Sequence, residues 1–155
     1  MPLVTAGPRP IFIPRQDELR AVLADNFDPR EIVCLPQHLR AAVQATNQSR
    51  ATITDLQCAP QRLAFKVAAE EPAMVVLAQS YYHAWKARVD GRGAPLWRAN
   101  HAFQALQVPA GEHQIVLIYQ DRRLFAGAII STIAVVVCLL LWRRRSVPKE
   151  PIPAV

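Results

Sequence analysis

Leu124 to Trp142 reads LFAGAIISTIAVVVCLLLW, nineteen residues without a charge. No other feature limits the fold of this chain as much. At about 1.5 Å per residue such a helix is about 28 Å long, close to the hydrocarbon thickness of a bilayer. Its only polar side chains, Ser131 and Thr132, can bond back to carbonyls of their own helix and are cheap to bury there. The run predicts one membrane-spanning helix over 124–142, with Trp142 as an interfacial anchor. Four cations, Arg143, Arg144, Arg145 and Lys149, follow the span, and two, Arg122 and Arg123, precede it. By the positive-inside rule this bias favours a cytoplasmic C-terminus and an extracytoplasmic domain.

The net charge of +6 gathers around the span. Residues 1–121 hold twelve Lys/Arg against eleven Asp/Glu, so the basic, proline-containing tail 143–155 and the span's leading edge carry the excess. Such a distribution fits anionic lipid headgroups and argues against a nucleic-acid partner, which needs a basic face on the folded domain. The N-terminal MPLVTAGPRPIFIPR has no continuous apolar core of signal-peptide length. A domain ahead of a lone span still needs a route across the membrane. Three accounts stand: upstream membrane helices, a tail-anchored protein with a cytoplasmic domain, or a misplaced start. The first is the most economical. Of three cysteines, Cys138 lies in the span, and Cys34 and Cys58 could pair only in an oxidising compartment.

The rest of the chain reads as strands. Residues 1–15 are proline-rich and read as an irregular lead-in, and Leu19, Val22 and Leu23 at helical spacing predict a short helix over 16–25. Glu31–Leu35 and Ala51–Gln57 have weak strand character, with a helical turn in the polar stretch 37–50. Arg62–Ala69 alternates, with Leu63, Phe65 and Val67 on one face. Ala73–Gln79 is almost continuously apolar, as for a strand buried on both faces. Trp85, Ala87 and Val89 point inward from a strand that ends in an Asp90-Gly91 turn. Further strands follow at Leu96–Arg98, Phe103–Val108 and His113–Gln120. Short strands with turn punctuation predict a mainly β fold, an antiparallel β-sandwich of about seven or eight strands over 16–121. Only Asp121, Arg122 and Arg123 then separate it from the span, a short connection that would hold it against the bilayer.

Nothing in this sequence assembles a catalytic set. Asp17-Glu18 and Glu70-Glu71 are adjacent carboxylates whose side chains diverge, and they read as solvated charge. His38, His83, His101 and His113 fit no metal-ligand spacing, although His101 and His113 could approach across a hairpin. Five scattered glycines form no phosphate-cradling loop, and no cofactor is expected. Tyr81, Tyr82 and Trp97 are the candidate carbohydrate or interface contacts, because aromatic faces stack on sugar rings and favour membrane interfaces. Trp85 is assigned to the core, and Asp90 and Asn100 to turns.

From Val75 onward a longer pattern emerges. Tyr81, Tyr82, Trp85 and Lys86 lead to Val89-Asp90-Gly91, then Arg98-Ala99-Asn100. Val108-Pro109-Ala110-Gly111 and His113 follow, then a strand ending in Tyr119 and a helix with Gly127 and Ser131 near its start. This order and spacing resembles the C-terminal region of the YfhO family of bacterial membrane proteins, and Phe27–Leu35 resembles its lead-in. His83-Ala84 stands where the family has Pro-Gly, and Gln120-Asp121 where it has an acid and proline; both are changes of turn chemistry. The resemblance implies polytopic relatives similar to multi-spanning lipid-linked glycosyltransferases that modify cell-envelope polymers. It makes this chain their non-catalytic, extracytoplasmic C-terminal domain and last helix, the catalytic carboxylate belonging to upstream spans. The implied partners are the bilayer, the upstream transmembrane half and a cell-envelope glycan. The other reading is a stand-alone, single-pass binding module with no enzymatic role.

Overall fold

The computed structural model describes residues 2–145. The chain divides into two compact units at Gln120/Asp121. The first is mainly β, with eleven strands, one short helix and a 3-10 turn at Gln37–Ala41. β1 (Val4–Ala6), β6 (Ala73–Leu77), β10 (Phe103–Val108) and β9 (Trp97–Ala99) form a four-stranded antiparallel sheet in the order β1-β6-β10-β9. β4 (Ala51–Ala59), β5 (Arg62–Ala69), β11 (Gly111–Tyr119), β7 (Trp85–Val89) and β8 (Arg92–Ala94) form a five-stranded antiparallel sheet in the order β4-β5-β11-β7-β8. β2 (Arg9–Ile13) and β3 (Ile32–Pro36) make a small parallel pair.

The side chains decide how these sheets stack. Leu63, Phe65 and Val67 of β5, Ile115 and Leu117 of β11 and Trp85 of β7 meet Val75, Leu77, Leu106 and Val108 of the four-stranded sheet in the main core. The opposite face of the four-stranded sheet is largely covered as well. Met74, Val76 and Ala105 pack there against Val33 and Leu35 of β3 and Val43 and Ala45 beyond the 3-10 turn. The sandwich therefore carries a third, thinner layer. Its middle sheet has two buried faces, which is why all five residues of β6 are buried and why that strand reads as a continuous apolar run.

Three short strands, β1, β2 and β8, raise the number from the expected seven or eight to eleven. The reading of residues 1–15 as an irregular lead-in is corrected: Thr5 pairs with Val76, and Ile11 with Cys34. Prolines disguise this segment, yet a strand with a neighbour on only one side tolerates Pro10. Gly7 makes the turn between β1 and β2 at φ +92°. A Cβ there would collide with the Ser49 carbonyl oxygen, and Ser49 N donates to Gly7 O at 2.9 Å, so the backbones approach as only glycine permits.

The helix expected over 16–25 is shorter, α1 (Glu18–Val22), and it is turned the other way. Leu19 and Leu23 are exposed, and Glu18 is the residue that is buried. The second unit contains α2 (Arg122–Arg145), in which Ala126–Arg143 is long and apolar enough to cross a membrane and none of that window is buried. Isoleucine, valine and leucine exposed all round a helix need a cover, which for a span of this length a bilayer supplies. Thr132 Oγ1 donates to Ala128 O at 2.8 Å, the back-bond expected of a hydroxyl on an apolar helix. The tail beyond Arg145 lies outside the described residues.

Candidate functional site

The loop after β6 and the start of β9 build an open concavity. Tyr81 N donates to Ala102 O at 2.7 Å, which ties that loop to the β9–β10 turn. Tyr81 and Trp97 thereby line one open groove of about 870 Å³, with Leu96, Arg98, Arg15 and His38. That volume is within the usual range for small-molecule sites. Trp97 is half-buried, with its body packed on the second core, while Tyr81 is 39% exposed. Tyr82, the third candidate aromatic, lies outside this groove. Its ring stacks on Tyr119 with centroids 6.1 Å apart and planes 15° apart, and it touches His83.

Arg98 is held in place from behind. Its Nη2 donates to Glu18 Oε2 at 2.8 Å, and the Glu18 side chain is only 2% exposed. The reading of Glu18 as solvated surface charge is therefore corrected. A buried carboxylate needs a cation, and its cation comes from a strand 80 residues away, beyond any local pattern. Asn100 is likewise more than a turn residue. It sits at φ +46°, followed by His101 at φ +68°, a left-handed stretch that asparagine accepts more readily than most residues. Its side-chain Oδ1 accepts from Cys34 N at 2.8 Å and its own N donates to Cys34 O at 2.9 Å. It thus acts as a one-residue strand partner that staples β3 to the β9–β10 turn.

The remaining motif residues interlock at the far end of β11. Asp90 (φ +50°) and Gly91 (φ +77°) are both left-handed, as the tight turn between β7 and β8 requires. Asp90 Oδ1 accepts from Gln114 N at 2.8 Å, and Oδ2 lies 2.7 Å from His113 Nδ1. His113 Nε2 lies 3.2 Å from Ala110 O, within the turn made by Pro109, Ala110 and Gly111, where Gly111 has φ +116°. Asp90, Gly91, Pro109, Gly111 and His113 are thus turn architecture, and His101 takes no part. Protonated His113 can donate from both ring nitrogens. Its hydrogen bond to Asp90 therefore raises its pKa above the usual 6.5 and outweighs partial burial. The same bond, then the Gln114 amide, holds Asp90 below 3.8.

The pH dependence follows from these directions. Stabilisation from His113 is full below pH 6.5 and is lost as pH rises through its higher folded pKa. Stabilisation from Asp90 is full above pH 3.8 and is lost as pH falls through its lower folded pKa. The clasp is strongest between those limits. Asp90→Asn is expected to bring the His113 titration midpoint, followed by NMR of the ring protons, back towards 6.5. An unchanged midpoint would show that another group sets it.

Among the described residues no group of His, Cys, Asp and Glu could hold a metal ion. Cys34, Cys58 and Cys138 are free thiols. Burial, then the nearby Glu18 charge, pushes the Cys34 thiol up to about 11, so it is an inert core side chain. The groove brings aromatic rings and a cation together, and among its lining residues no nucleophile sits beside a base.

A family model described as bacterial membrane protein YfhO matches residues 27–131, from the turn before β3 into the first part of α2. The chain belongs to the YfhO family. No curated protein and no solved structure matches it. The match places the groove's Trp97 and Arg98, the Asn100 staple, the Asp90–His113 clasp and the beginning of the apolar helix within the YfhO region, and leaves β1, β2 and α1 ahead of it.

Proposed function

We propose that this chain is the non-catalytic, extracytoplasmic C-terminal domain and membrane anchor of a YfhO-type polytopic protein tied to lipid-dependent glycosylation of cell-envelope polymers, and that its groove holds the glycan. The observation that supports this reading is the pairing of Tyr81 and Trp97 in one groove beside Arg98, whose guanidinium is fixed by Glu18. A sugar ring offers an apolar face to stack on aromatic rings and hydroxyls to accept from an arginine. The catalytic carboxylate belongs, on this reading, to upstream spans, and the cations that follow the apolar span favour a cytoplasmic tail.

Two measurements test the proposal. The full chain, in detergent, is titrated with cell-envelope oligosaccharides while saturation-transfer NMR is recorded. Tyr81→Ala, which alters an exposed ring, is expected to weaken binding by about tenfold, as loss of one stacking contact worth ~1.4 kcal/mol implies. Equal binding by the variant, or none by either chain, would sink the glycan reading. Sidedness is tested with an impermeant maleimide on a Glu112→Cys, Cys58→Ser chain in intact cells. Labelling is expected, and labelling only after lysis would place the domain in the cytoplasm.

A further inference from the structure

We infer that the end of the five-stranded sheet from which β11 departs is a seat for anionic lipid headgroups, formed by Arg62 and Lys86 with Tyr82. The inference rests on α2 lying in lipid and is independent of the glycan groove. Ile118 pairs with Arg62 on one side and Lys86 on the other. Directly paired residues share a face of the sheet, so the two exposed cations flank one half-buried apolar side chain. Lys86 Nζ donates to His83 O at 3.1 Å, which anchors the ammonium at the rim. Tyr119 N donates to Gln61 O and Gln120 N to Ala84 O, both at 2.9 Å, so the 60–61 turn and the 82–84 loop close this same end. Tyr82, stacked on Tyr119, is 44% exposed there. Tyrosine beside Lys and Arg is the composition of a membrane interface.

Charge is sorted along the sheet. The acids Glu70, Glu71, Asp90 and Glu112 collect at the opposite end, where Gly111 pairs with Ala69. Nine residues of β11 separate the two ends, about 25 Å of strand. Arg50 and Arg92 temper that acidic end, and Lys66 is occupied midway by Asp55 at 2.6 Å. The cationic end carries one acid nearby in the chain, Asp121. Four residues lead from Ile118 to the first residue of α2, a reach of at most about 14 Å even when fully extended. The cationic end is thus the end of the sheet that the chain ties to α2 by a short connection, and the acidic end lies more than a Debye length further along β11.

The test uses the full chain reconstituted in phosphatidylcholine vesicles with or without phosphatidylglycerol. A fluorophore is placed at Gln61→Cys or at Glu112→Cys in a Cys58→Ser, Cys138→Ser background, and quenching by headgroup-nitroxide lipid is read. Quenching at position 61 is expected to exceed that at 112 several-fold and to grow with phosphatidylglycerol. Arg62→Gln with Lys86→Gln is expected to remove that growth, and raised salt is expected to do the same with the native side chains in place. Equal quenching at the two ends, or indifference to phosphatidylglycerol, would overturn the inference. So would a soluble polyanion binding the lipid-free chain with the same dependence on Arg62 and Lys86, since the seat would then belong to a polymer.

Discussion

Trp85→Ala is expected to destabilise the domain by about 3–5 kcal/mol, the range for losing a buried large aromatic. Trp85 is 8% exposed and sits in the main core, with its ring edge-on to Tyr119 at a centroid distance of 5.5 Å. Truncation removes contacts from both sheets and loosens the last residue of β11. Urea unfolding of the full chain, followed by the β signal in far-ultraviolet circular dichroism, measures the loss. Trp85→Phe keeps a ring in the core and is expected to cost less than the alanine variant. A change of a few tenths of a kcal/mol for Trp85→Ala would mean that the ring contributes little to joining the two sheets.

Arg98→Ala comes next, with an expected loss of about 3 kcal/mol, because removing one partner of a buried ion pair strands the other charge. Arg98 is 25% exposed and Glu18 2%, so it is the arginine that can be lost to water and the carboxylate that suffers. Glu18 Oε1 has no hydrogen-bond partner among the described residues. The pair is thus a costly arrangement, which single substitution makes worse and joint substitution relieves. Glu18→Leu with Arg98→Met is expected to recover most of the stability while losing the fixed guanidinium of the groove. If the double variant is as unstable as Arg98→Ala, burial of α1 rather than charge pairing explains the loss.

How much of this was legible in the sequence depended on the range of the forces involved. β5, β7 and β11 each bury one face, so their alternation exposes them: Leu63, Phe65, Val67, Ala87, Ile115 and Leu117 are all buried. β6 was legible for the opposite reason, its two buried faces. β8 is only three residues long, and β4 breaks its period where Asp55 takes φ +56° between Thr54 and Gln57. β1 and β2 were hidden by prolines whose tolerance depends on which strand edge is free. In the groove, Tyr81 and Trp97 were recognisable as aromatics of unusual density, but their meeting depends on a backbone bond to Ala102. The Glu18–Arg98 pair and the Asn100 staple join residues 80 and 66 positions apart. The family's Arg-Ala-Asn spacing marked Arg98 and Asn100, turn chemistry marked Asn100 alone, and Glu18 read as solvated charge because its partner lies so far along the chain.

β11 is the middle strand of its sheet and also the last strand among the described residues. The four-stranded sheet has every residue it needs once Val108 has left the ribosome. The β4–β5 and β7–β8 hairpins can form by then too, but they have nothing to join them until Gly111–Tyr119 is inserted between them. Sequential synthesis thus defers the final closure of the main core to the moment when the apolar helix is about to be made. Until then Phe65 and Trp85 await the strand that covers them, and a chain stopped at residue 110 would hold the four-stranded sheet and two hairpins with nothing to join those hairpins into a second sheet.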